Sequence, residues 1–180
     1  MPNSNYIPLR TPIQVIGPSI AYVPLTRGMF AIIDTEDIPS VGAYNWYASD
    51  TGGGKWYAAR KREKLVYLHR FIMPTDSGID HIDGDGLHDF KGNLRPATQQ
   101  ENLRNRITKR SSKSGLKGAY RFRNKWISNL TFEGKSIHIG SFDTKEEAHA
   151  AYCRKALQLY GKFAHDGVRN MSRISLPPSD

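Results

Sequence analysis

The chain has 180 residues, a formal net charge of +9 and one cysteine, Cys153, which suffices for one ordinary domain or two small ones. The lone cysteine excludes an intramolecular disulfide and a multi-cysteine zinc site. A pI of about 9.7 points to a polyanionic partner, nucleic acid before an acidic membrane surface. No apolar run approaches the roughly 20 residues that cross a bilayer, and the start MPNSNYIPLRTPIQVIG lacks a basic segment followed by a continuous apolar one. A cytoplasmic protein is expected.

Residues 1–25 carry five prolines and predict an extended arm with little regular structure. Residues 28–72 predict short strands and turns: GMFAIID, an acidic turn, an aromatic cluster of Tyr44, Trp46 and Tyr47, then WYAARKREKLVYLHRF. The Gly52-Gly53-Gly54 loop between Trp46 and Trp56 suits a hairpin connection. In 79–107, IDHIDGDGLHDFKGNLRPATQQENLRNR places Asp80 beside His81, a turn at Gly84, Asp85 and Gly86, and Asn93 twelve residues after His81. Thr98 and Glu101 form a capping box, so a helix begins there and presents Asn102. Asp83 and Asp85 read as caps of the turn rather than as ligands, and His88 as a surface loop residue.

From residue 102 to 132 there are nine Lys/Arg and no Asp or Glu; with Tyr120, Phe122 and Trp126 interleaved, this favours nucleic-acid binding over a merely solvated charge run. Residues 106–115 read as a basic linker. Then KGAYRFR, KWISNLTF and KSIHIGSF alternate like the strands of a meander, with turns at Asn124 and Glu133-Gly134. Trp126, Leu130 and Phe132 would face a core, with Ile137 and Ile139; Lys125, Asn129, Thr131, Ser136 and His138 would form a free polar face. A second capping box, Thr144 to Glu147, opens a helix whose Ala148, Ala151, Tyr152, Ala156 and Leu159 recur at helical spacing.

The order strand, loop, strand, helix over 79–107 is the minimal clamp for one metal ion. An Asp carboxylate and an Asn carbonyl oxygen suit a hard cation such as Mg²⁺, and a neutral imidazole can take the proton from an attacking water.

The segments LHR at 68–70, DHIDGDGL at 80–87, NLR at 93–95 and ATQQENLRN at 97–105 resemble the HNH nucleases, in their homing-endonuclease branch of phages and mobile introns. The resemblance implies an α+β fold with a ββα-metal core and cleavage of double-stranded DNA, with no small-molecule substrate. It implies one divalent ion, Mg²⁺ or alternatively Mn²⁺, held by Asp80 and Asn102, with His81 as general base and Asn93 bracing the hairpin and orienting His81 through its amide. The LHR element would pack under the site, with His69 and Arg70 near the DNA backbone. The family's usual segment after the GDGL turn is replaced here by residues 88–92, a departure expected to leave those four positions untouched. A single HNH centre in a monomer nicks; a weak dimer could cut both strands.

Residues 114–166, through SGLKGAY, IHIGSFDTKEEAHAAY and LYGKFAHD, resemble the Apetala-type DNA-binding domain, which reads the major groove with a three-stranded sheet. Lys117, Arg121, Arg123, Lys125, Asn129, Thr131, Ser136 and His138 become contact candidates, and Arg104, Arg106, Lys109 and Arg110 of the basic stretch are DNA-binding candidates as well. The implied organisation is an arm (1–25), a nuclease domain (26–107), a basic linker (108–115), a DNA-binding domain (116–166) and a tail (167–180). The rival is a catalytically inactive, sequence-specific DNA-binding regulator.

Overall fold

A computed structural model describes residues 12–105 and 113–167. The candidates Arg106, Lys109 and Arg110 lie outside the described residues, as does the tail beyond residue 167. The fold is α+β: small antiparallel sheets and few helices, divided into two compact units, Met1–Asn102 and Leu103–Asp180. No helix among the described residues is long and apolar enough to cross a membrane.

The first unit opens with β1 (Gln14–Val15), β2 (Ile20–Pro24) and β3 (Phe30–Asp34), an antiparallel sheet in that order. Part of the expected arm is therefore folded. The register of β2 and β3 pairs Ala21 with Ile33 and Val23 with Ala31, so all four point into one core. The prolines tolerate this because Pro12 and Pro18 fall outside the strands and Pro24 ends one. After α1 (Ile38–Val41), a second sheet is built from β4 (Tyr47–Asp50), β5 (Trp56–Lys61) and β6 (Leu65–Tyr67). The β4–β5 turn uses the expected glycines, all three at positive φ. Val41, Trp46, Ala48, Ala58 and Leu68 complete the core, Leu68 from α2 (Leu68–Ile72). A hairpin of β7 (Gly78–His81) and β8 (Leu94–Ala97) follows, then α3 (Gln99–Arg104), across which the two units divide.

In the second unit β9 (Ala119–Phe122), β10 (Lys125–Phe132) and β11 (Lys135–Phe142) form an antiparallel meander, and α4 (Lys145–Tyr160) packs on it. The helix is capped by the reciprocal Thr144 and Glu147 bonds. Leu130, Tyr152, Ala156 and Tyr160 form its core, with Phe132, Ile137 and Ile139 against them. Both tight turns need left-handed backbone, at Arg123 (φ 50°) and at Glu133-Gly134 (φ 49° and 76°).

Register corrects the reading of the outward face. Arg121 pairs with Trp126, so it lies on the face of Trp126 and Leu130, its guanidinium 5.5 Å from the half-buried indole's centroid. Tyr120 and Phe122 take the opposite face with Lys125, and they are 45% and 56% exposed. That face is part aromatic rather than purely polar.

Candidate active site

Asp80 and His81 end β7, and alternation sends their side chains to opposite faces. Asp80 lies across from Arg95 of β8, which grips the single oxygen Oδ2 with Nε at 2.8 Å and Nη2 at 2.5 Å. The pair is almost fully buried, with side chains 5% and 11% exposed, so each charge compensates the other where water cannot.

His81 faces a different environment. Its Nε2 donates to Oδ1 of Asp89 at 2.9 Å, and Asp89 has no exposed surface. Pairing with a carboxylate assigns the ring proton to Nε2 and the lone pair to Nδ1. Burial pushes the Asp89 carboxyl above the usual range, with the His81 contact opposing it. Two rings stand against the imidazole, His69 edge-on at 5.1 Å between centroids and Tyr57 at 5.8 Å, and Tyr67 is stacked on His69 at 5.5 Å. Burial, with help from His81 and Arg70, pushes His69 down to about 3, so it is neutral at physiological pH. Burial likewise raises Tyr57.

The loop 82–93 carries Asp89 to this place. Its turn is capped as read: Asp83 Oδ1 accepts from Asp85 N (2.9 Å) and Asp85 Oδ1 from Leu87 N (3.1 Å). Asn93 ties the ends together. Its Oδ1 accepts from Asp83 N, and its Nδ2 donates to Asp83 Oδ1 (3.0 Å) and to the His88 carbonyl (2.9 Å). His88 binds Asp83 Oδ2 at 2.5 Å. Asp83 raises the His88 pKa; burial alone would raise Asp83, but the bonds from His88, Asp85 and Asn93 hold it below the usual range. The far side of the loop is laced to β3, with Ile32 N donating to Leu87 O (2.8 Å) and Asp89 N to Ile32 O (2.7 Å). On its near side Gly86 rests against β5, where a Cβ would come within 2.5 Å of Trp56 O and the Tyr57 ring. Only glycine permits that approach.

Asn102 sits in α3, whose start is capped by Thr98 and Glu101. Its Nδ2 donates to Ile79 O at 3.3 Å, leaving the amide oxygen as its donor atom for a cation and tying the helix to the residue before Asp80.

Several expectations shift. The side chain set on His81 is Asp89, whereas the side-chain bonds of Asn93 brace the loop; residues 88–92 thus reach one of the four positions after all. His69, expected at the DNA backbone, is buried beneath His81, and His88 is a half-buried partner of Asp83 rather than a surface residue. Arg70 is exposed, as are Arg123, Lys125, Thr131, Ser136 and His138, while Asn129 is half-buried. Lys117 turns inward and donates to Arg104 O at 2.6 Å, and burial pushes it down to about 8. Arg104 lies over the rings of Phe132 and Tyr160. Asp89 and Tyr57 were not singled out in the sequence; the one signal for Asp89 was that residues 88–92 depart from the family pattern.

Among known proteins the chain is similar to an uncharacterized HNH endonuclease of Acanthamoeba polyphaga mimivirus, 32% identical over 157 residues that cover 81% of this chain and 80% of that protein. It is also similar to Protein 3.8 of Escherichia phage T7, 40% identical over 113 residues, 61% of this chain and 93% of that protein. No family model matches, and no solved structure does. The extent of the first similarity shows that the chain belongs to the HNH endonucleases, and a nuclease function in general goes with that family.

Proposed function

We propose that the chain is a metal-dependent endonuclease of the homing type that nicks double-stranded DNA, with His81 as general base. The observation that carries this reading is the buried Asp89 on His81 Nε2. It holds one tautomer, so that Nδ1 accepts the proton of the attacking water and the carboxylate stabilises the imidazolium that forms. Asn93 acts as a brace that keeps the Asp89 loop closed. Asp80 and the amide oxygen of Asn102 would hold Mg²⁺, or Mn²⁺, and these hard oxygens on elements joined by the Asn102–Ile79 bond fit such an ion. When bound, the ion would stabilise charge on the leaving 3′ oxygen. Arg95 holds the Asp80 carboxylate in place. The products would carry 5′ phosphate and 3′ hydroxyl ends.

In the second unit an Apetala-type role in DNA reading is supported by the free sheet face with Lys125, Asn129, Thr131, Ser136 and His138. Arg70 and Arg123 supply exposed charge for phosphates. A phage or viral gene acting in a host cytoplasm fits the mimivirus and T7 relatives.

The test is conversion of supercoiled plasmid and phage genomic DNA to nicked products with Mg²⁺ or Mn²⁺. His81→Ala is expected to abolish cutting and keep DNA binding; loss of both would make His81 structural. Tight binding without cleavage of any DNA would instead favour the regulator.

A further inference from the structure

His69, His81 and Asp89 each offer one ligand atom, all within 4.8 Å of one another, and all three residues are buried. The hydrogen bonding of this group is incomplete. His69 Nδ1 and Asp89 Oδ2 are buried without a hydrogen-bond partner. Leaving a buried polar atom without a partner is costly, so two in one cluster ask for an explanation. The hard-ion ligands proposed above, Asp80 and Asn102, contribute nothing to this group. The donor chemistry differs as well: two imidazoles and one carboxylate are the donor set of zinc sites with an open fourth position, whereas Mg²⁺ favours all-oxygen shells.

We propose that His69, His81 and Asp89 form a second cation site, selective for Zn²⁺ and similar borderline ions, whose occupation takes His81 out of catalysis. Zinc would displace the Nε2 proton of His81 and take the carboxylate that otherwise orients the ring. The His81 ring would then be locked as a ligand. The inhibitory half rests on the reading of His81 as general base; the binding half does not. The rigid surroundings favour a preformed site, since Tyr67 stacks on His69 and the Asp89 backbone is bonded to Ile32.

The test uses the full chain and Co²⁺ alone as a spectroscopic probe. One equivalent should give the visible bands of four-coordinate cobalt, and Zn²⁺ should bleach them. Loss of a second-shell group alone weakens metal affinity by about 10–100-fold, so His69→Gln and Asp89→Asn should each weaken cobalt binding at least that much. Circular dichroism confirms that each variant is folded, and if one is not, the other decides. No four-coordinate band, or a band unchanged in a folded variant, overturns the site and leaves an internal water to satisfy the two atoms. Micromolar zinc should suppress Mg²⁺-supported nicking, and His69→Gln should raise the required zinc at least about tenfold relative to its own zinc-free rate. Undiminished nicking by zinc-loaded protein overturns the inhibitory half. If the protein never nicks at all, the general-base reading fails, while the cobalt spectrum still decides the site.

Discussion

Asp89 has no exposed surface, and its carboxylate is bonded to His81 through Oδ1. If it orients the base, Asp89→Asn should lower the single-turnover nicking rate by about 10²-fold or more while leaving the Kd for DNA unchanged. A purely structural role would move both together. At this scale the sequence was legible wherever a residue's job is local. Asp83 and Asp85 cap a turn within two residues of themselves, and Thr98 caps a helix three residues on. Asp89 was not legible, because its position depends on Ile32, far away in the chain. His69 was half legible: the LHR element marks the site, but only packing shows the ring buried under His81 instead of facing DNA.

The elements of the second unit followed from alternation, two-residue turns and a capping box, all short-range signals. What alternation left open was which face Arg121 shares, and cross-strand register decided that. Gly118, just before β9, lies close against α4: at φ 72°, a Cβ there would lie 2.0 Å from Tyr152 Cδ2. Gly118→Ala should therefore cost about 2 kcal/mol or more, read by urea denaturation. Lys117 beside it gives a pH signature. Burial pushes its pKa down from 10.5 to about 8, so the unfolded chain binds more protons between those values and stability rises across that window. Below about pH 8 the full penalty is present. Lys117→Met should stabilise the chain at pH 7 by on the order of 1 kcal/mol after solvent screening. That gain should fade to nothing by pH 10.5, when the two proteins' denaturation midpoints are compared across pH.

Across the whole molecule the excess of positive charge makes DNA affinity steeply salt-dependent. Arg70→Ala should reduce the slope of log K against log salt by about 1, with little change in sequence preference, as titrations at several salt concentrations would show. A change in composition marked the basic segment, but nothing in it revealed that residues 14–15 and 20–24 of the expected arm form strands paired in the first unit's sheet. This last point bears on how portable the motif is. All the residues proposed for chemistry lie between 69 and 102, which suggests a cassette that could be cut out and moved. The backbone bonds from Ile32 to Leu87 and Asp89 argue otherwise, because the strand that supplies them is itself held by β2. A chain starting at residue 35 would keep every catalytic side chain and should still fail to nick DNA in the plasmid assay. On that reading the smallest working nuclease should begin well upstream of its own signature, and a search for its minimal form should trim from the other end.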